Sequence, residues 1–213
     1  MSIPDSVQTL LSRIDDWLRR DAAFCERPRF ERFSRVRFNP YTEGSPEWSQ
    51  YEANSKAEDD HLIERENLDR ECQSLIEAAA SAYIDANATT RSTIRQFSRE
   101  RPTFVIYVWE FARYCAEQIV WPEDHTWLRI GLAAMAIEDC RFDSRDETVA
   151  LGMLYFSAGL AGIDPEPHFQ EIAGMCDEEM ARAMRAGRGC SSAMGDDNRS
   201  HLRALHKRKQ VRR

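Results

Sequence analysis

Residues 103–163 constrain the fold more than any other part of the chain, because three consecutive candidate helices in this stretch are apolar on almost every side. A helix that is hydrophobic all round has to be covered by other elements. Residues 104–109 are β-branched and aromatic, which also suits a strand, but the pattern that continues to residue 120 favours a helix. We therefore expect residues 103–163 to form the centre of a helical core.

The composition agrees with an all-α fold. Nine glycines and eight prolines in 213 residues are few for an all-β chain, and 42% hydrophobic residues argue against global disorder. The longest uncharged stretch, residues 148–163, falls short of the roughly 20 apolar residues that a membrane span requires. With no secretory signal and no C-x-x-C pair among six scattered cysteines, we expect a cytoplasmic protein without a membrane span.

Helix-start signals divide the chain further. Apolar residues at helical spacing predict an amphipathic helix over residues 3–20, and Ser45-Pro46 predicts the start of a long acidic helix that ends near residue 86. Further helices are predicted over residues 90–99, 104–120, 124–138, 145–161 and 166–184. The short connections favour antiparallel helical hairpins or a bundle. We predict four parts: an N-terminal helix and connector (1–44), the long acidic helix (45–88), a helical core (89–186), and a linker with a basic tail (187–213).

Charge is distributed unevenly. The net charge is −7, but residues 199–213 contain seven of the 29 Lys and Arg residues and no acid, so the tail carries +7 and the remainder −14. Such a tail could fold back on the acidic remainder of the chain, or it could bind an external polyanion, nucleic acid included. The predicted polyanion-binding residues are Arg199, Arg203, Lys207, Arg208, Lys209, Arg212 and Arg213.

A charged elbow at residues 138–147 interrupts the apolar stretch. Its carboxylates could bind a Mg²⁺-like ion, or its arginines an anion. The interpretation we favour is structural, because Ser144 and Glu147 match a capping box and the other acids suit the positive end of a helix dipole. The elbow residues concerned are Glu138, Asp139, Asp143, Arg145 and Asp146.

Three weaker patterns each have a structural alternative that we favour. Arg129, together with Glu110 and Arg113, could form a polar pocket between helices, or else a satisfied structural pair or a solvent-facing strip. Glu58 and His61 form a single E-x-x-H pair, where a di-metal helical site needs two. Arginines and phenylalanines alternate over residues 27–38, which suits single-stranded nucleic acid or a segment whose arginines neutralise the acidic helix.

No phosphate-loop, nucleophile-elbow, zinc-protease or dinucleotide motif occurs in the chain. The first functional hypothesis is therefore a non-enzymatic helical interaction or regulatory module with a protein partner or self-association, and with no cofactor. One alternative is a nucleic-acid-associated protein that uses the basic tail. Another is an enzyme or metal-binding protein built on the carboxylates of residues 138–147.

Overall fold

A computed structural model describes residues 3–27, 39–118, 125–138 and 145–172. Within these ranges all seven elements are α-helices and there is no strand, which confirms the predicted all-α helical architecture. The basic tail lies outside the described residues. The helices are α1 (Asp5–Cys25), α2 (Pro46–Asp85), α3 (Ala88–Arg99), α4 (Pro102–Gln118), α5 (His125–Glu138), α6 (Arg145–Ala161) and α7 (Glu166–Ile172).

Local side-chain chemistry explains several of the helix ends. The Ser45 hydroxyl accepts a hydrogen bond from the backbone N–H of Trp48 at 3.0 Å, which starts α2 where the sequence predicts. The Asn87 side chain accepts one from the N–H of Thr90 at 3.0 Å and starts α3. At the end of α6, Gly162 has a φ of +78°, a left-handed conformation that favours glycine.

The chain divides into two compact units. The hairpin unit is Ile14–Ser74, and the core unit comprises Met1–Arg13 and Leu75–Arg213. Helices α1 and α2 each contribute residues to both units. The four-part division drawn from the sequence stays a prediction.

In the core unit, α4 packs against α5 and α6, and α5 also contacts α3 and α7. Every residue from 130 to 137 of α5 is buried, and residues 104–109 belong to α4, as the apolar pattern predicts. At Gly131, α5 lies close to both neighbouring helices, because a Cβ there would lie 2.8 Å from Leu154 Cδ2 of α6 and 3.0 Å from Cys115 Cβ of α4. The described parts of the apolar stretch therefore form the centre of this unit.

The two buried described cysteines pack as small apolar residues. Burial raises the pKa of the Cys72 thiol to about 12, with a smaller contribution from the nearby carboxylates of Asp21 and Asp69. Burial also raises the pKa of Cys115. Both side chains therefore stay protonated at neutral pH and are poor nucleophiles. Within the described ranges, no helix combines the length and apolar character that crossing a membrane requires.

Candidate interaction surface on the long helix

The hairpin unit pairs the second part of α1 with the first part of α2. The indole Nε1 of Trp17, which is fully buried, donates a hydrogen bond to the Leu68 carbonyl at 2.8 Å. Further along, the ring of Phe24 stacks on that of His61 with centroids 4.2 Å apart. Because partners on α2 move backwards as α1 advances, the two helices run antiparallel.

Ion pairs reinforce this hairpin, and one of them is partly buried. Arg65 donates to Asp21, whose side chain is only 4% exposed, at 2.5 Å, and it also donates to Asp69. The hydrogen bond to Asp69 raises the pKa of the Arg65 guanidinium, burial opposes this, and Asp21 adds to the rise. A buried carboxylate requires such a partner, because desolvation without one is costly.

The remaining ion pairs lie at the surface. Arg27 donates to both carboxylate oxygens of Glu64, at 2.5 and 2.8 Å, and Arg20 donates to Glu71 at 2.6 Å. The hydrogen bond from Arg27 lowers the pKa of Glu64. For Arg27, the one described arginine of the arginine–phenylalanine segment, the structure agrees with the expectation that these arginines neutralise the acidic helix. Residues 28–38 lie outside the described residues.

A shallow groove of about 290 Å³ lies along this hairpin. Its charged side chains already pair with one another, Arg20 with Glu71 and Arg27 with Glu64, and Leu68 forms an apolar patch at its wall. Its other lining residues are Ala23 and Asn67. A groove whose charges are mutually satisfied offers a charged ligand little unpaired charge.

Residues 46–67 of α2 present a broad surface to solvent. None of them is buried, and they include seven acidic and two basic residues. Leu62 and Ile63 are nevertheless 55% and 56% exposed. Asp59 and Glu66 lie three or four residues from both and therefore neighbour them on the helix surface. We call this surface, centred on Leu62 and Ile63 and bordered by Glu58, Asp59, Asp60 and Glu66, the acidic–apolar face.

The two sites that the charge pattern of the sequence predicts, the elbow at residues 138–147 and the basic tail at residues 199–213, lie largely outside the described residues. Glu138 ends α5 and Arg145 begins α6, whereas Asp139 and Asp143 lie between them, in residues 139–144, outside the described residues. Asp146 is in the first turn of α6, but its side chain is outside the described part. All seven cations of the basic tail are also outside it. The predicted elbow and tail sites therefore stay predictions.

The other sequence candidates adopt ordinary structural roles. Arg129 donates to both oxygens of Glu171, at 2.7 and 3.2 Å, in an ion pair that is open to solvent. Arg113 is exposed and its guanidinium lies 4.9 Å from the centroid of the Trp109 ring, while Glu110 is exposed on the same helix. Across the described side chains, no three His, Cys, Asp or Glu residues are grouped to hold a metal ion.

The sequence analysis did not identify a pair of histidines that lies at the contact between α5 and α7. His125 Nδ1 lies 2.9 Å from His168 Nε2, and the two rings are nearly perpendicular. Burial lowers the pKa of His168, followed by the effect of His125; Arg129 lowers it further, while Glu171 and Asp164 raise it. The two histidines are too far apart in sequence for any local pattern to have joined them.

Comparisons of the chain with models of protein families, with curated proteins and with solved structures find no match.

Proposed function

We propose that the chain is a non-enzymatic interaction module that binds a basic, amphipathic segment of another protein through the acidic–apolar face of α2. The observation that carries the proposal is the exposure of Leu62 and Ile63, each more than half accessible, within a segment that is otherwise acidic and has no buried residue. Isolated exposed apolar residues are common on protein surfaces. Two adjacent ones inside an acidic border present a partner with both an apolar anchor and a charge.

Burial of these two side chains can supply measurable affinity. Complete burial of a Leu or Ile side chain contributes about 1.5–3 kcal/mol. Since each is already about half covered, a partner would gain about 1 kcal/mol from each, or about 2 kcal/mol together. That corresponds to roughly a 30-fold change in the dissociation constant.

The acidic border selects the partner. Glu58, Asp59 and Asp60 are exposed on the turn that precedes Leu62, and Glu66 follows it, in an exposed ion pair with Arg70 at 3.7 Å. Carboxylates around an apolar anchor favour lysine or arginine on the partner and repel an acidic one. They also accelerate association at low salt through long-range attraction.

The hairpin holds this surface in a defined conformation. The buried Trp17–Leu68 hydrogen bond and the Arg65–Asp21 pair fasten α2 to α1 within two turns of Leu62. A helix that is already ordered loses little conformational entropy when a partner binds. The face is therefore suited to recognition without prior folding.

The test uses two defined probes and serine variants that leave the charge unchanged. One probe is a fluorescein-labelled helical peptide with Leu at positions i, i+3, i+4 and i+7 and Lys elsewhere, and the other has Glu in place of Lys. We expect the full chain to bind the Lys peptide and not the Glu peptide by fluorescence anisotropy. Leu62→Ser/Ile63→Ser should weaken binding roughly 10- to 30-fold.

Ile106→Ser is the matched control, because Ile106 is 60% exposed on α4 of the core unit and does not belong to residues 46–67. It should leave the affinity unchanged. Equal weakening by Ile106→Ser and by the double variant would show general adhesion and contradict the proposal. A photo-crosslinking amino acid at position 62 in cells then identifies the natural partner, and sedimentation of the purified chain reveals whether that partner is a second copy.

The +7 charge of residues 199–213 supports a second proposal, in which the tail binds nucleic acid. If the tail neutralises six or seven phosphates, log K should fall with log salt concentration with a slope of about −6 on duplex DNA. Deletion of residues 199–213 should abolish this binding. Unchanged binding by the truncated chain would remove the support for this proposal.

The carboxylates of residues 138–147 remain a proposed alternative site, tested by neutralising Asp139 and Asp143 together.

A further inference from the structure

The imidazoles of His125 and His168 meet in a nearly perpendicular arrangement at the contact between α5 and α7 in the core unit. The nitrogens that face each other are Nδ1 of His125 and Nε2 of His168, at 2.9 Å. His125 begins α5, and His168 lies in α7, which starts after the Asp164 side chain accepts a hydrogen bond from the Glu166 N–H at 3.2 Å. Two different helices therefore place two imidazole nitrogens next to each other.

A distance of 2.9 Å suits a hydrogen bond, and it also suits a chelated metal ion. Two imidazole nitrogens bound at about 2.0–2.1 Å lie about 2.9 Å apart when the angle at the metal is 90°, and about 3.4 Å apart when it is tetrahedral. Right angles between neighbouring ligands are typical of square-planar and octahedral Ni²⁺ and Cu²⁺ sites. The separation therefore equals that of a right-angled pair of ligands and is shorter than that of a tetrahedral pair.

We propose that His125 and His168 form a two-histidine site for Ni²⁺ or Cu²⁺, with water in the other coordination positions, which joins α7 to α5. In the hydrogen-bonded pair one of the two facing nitrogens carries a proton. That ring changes tautomer, so that its proton moves to the outer nitrogen and both facing lone pairs become available to the metal. If both rings are neutral, binding requires no net release of protons.

The surroundings are compatible with a dication. The carboxylates of Glu171 and Asp164 act electrostatically on His168 and would offset the positive charge of the ion, while the guanidinium of Arg129 opposes it. Glu171 stays engaged with Arg129, so it is a neighbour rather than a ligand in this proposal. His125 is exposed and His168 is partly exposed, so an ion from solvent reaches the pair directly.

The test measures Ni²⁺ binding to the full chain after removal of bound metal with a chelator. The background carries His201→Gln and His206→Gln, because two histidines in the basic tail could bind Ni²⁺ by themselves. Isothermal titration calorimetry should show one Ni²⁺ per chain. His125→Gln and His168→Gln should each weaken binding at least tenfold, because each variant removes one of the two ligands.

His61→Gln is the control, because His61 stacks on Phe24 in the hairpin unit and should not affect Ni²⁺ affinity. Wild-type-like affinity of His168→Gln would overturn the proposal and leave only a hydrogen bond. If a variant loses its helical circular dichroism, electron paramagnetic resonance of Cu²⁺ bound to the background chain shows how many nitrogens bind the ion. Superhyperfine coupling to two nitrogens supports the site, and coupling to one contradicts it. Failure here leaves the proposed function of α2 unaffected, since the peptide assay uses another surface.

Discussion

Two aspartates on α1 make a matched pair that separates a buried ion pair from an exposed one. Asp21 is 4% exposed and bonded to Arg65, while Asp16 is 53% exposed and bonded to Arg19 and Arg20. Each is replaced by Asn, a residue of nearly the same shape and helix propensity. The two substitutions therefore differ mainly in the burial of the carboxylate that is lost.

The structure sets the expected magnitudes. Hydrogen bonds to charged groups contribute about 1.5–3 kcal/mol. Asp21→Asn should lower the free energy of unfolding by about 2 kcal/mol. The loss should be smaller than the roughly 3–5 kcal/mol that follows when a buried charge has no partner at all, because Arg65 keeps its ion pair with Asp69. Asp16→Asn should cost about 0.5 kcal/mol or less, as exposed pairs usually do.

The assay is urea unfolding at 25 °C, followed by the far-ultraviolet circular dichroism of the helices. With an m-value of about 2 kcal/mol/M, Asp21→Asn should lower the midpoint by about 1 M, and Asp16→Asn by no more than about 0.25 M. A double-mutant cycle with Arg65→Gln should give a coupling energy of about 1–2 kcal/mol. Equal losses from the two aspartates, or no coupling with Arg65, would refute the reasoning.

Three further outcomes follow from packing, charge and burial. Gly131→Ala should lower the free energy of unfolding by about 1 kcal/mol in the same urea assay, because overpacking against the Cys115 Cβ and the buried Leu154 side chain outweighs the gain in helix propensity, and increased stability would contradict the close approach. Since the Arg27 side chain lowers the pKa of Glu64, the pair should stabilise the fold above the ordinary pKa of Glu64, 4.5, and lose that contribution as the pH falls through the lowered value; NMR titration should show a higher Glu64 pKa in Arg27→Gln. In native conditions iodoacetamide should modify the exposed Cys25 well before Cys72, whose pKa is about 12, and mass spectrometry of the digested chain would reveal the opposite order.

The sequence predicted the position of a helix well where that position depends on residues that are neighbours in the chain. The serine at position 45 begins α2 through its own hydroxyl, and residues 104–109 continue as helix because residues 110–118 repeat the same periodicity. The pairing of Arg27 with the acidic helix also agrees with the expected neutralisation. These features depend on residues close in sequence or on the overall balance of charge, both of which can be read without coordinates.

The candidate site depended on contacts that no local pattern contains. Asp21 and Asp16 are equivalent in sequence, yet only Asp21 faces the partner helix closely enough to be buried. Leu62 and Ile63 lie off the apolar stripe that contains Leu68, and they stay exposed because α1 packs against the side of α2 that carries this stripe. A helical period indicates which residues share a face, but not which face a distant segment will cover.

The amino-acid sequence by itself determined that the described part of the chain is helical, where most of its helices begin and end, and that the described parts of residues 103–163 form a core. Helix periodicity, caps and apolar content act over a few residues, so they can be read without coordinates. Only the tertiary structure decided which carboxylate is buried, which apolar residues stay in solvent, and that His125 meets His168. Those outcomes depend on pairing between segments more than 40 residues apart, and solvent exposure is a property of the packed chain rather than of any residue in it.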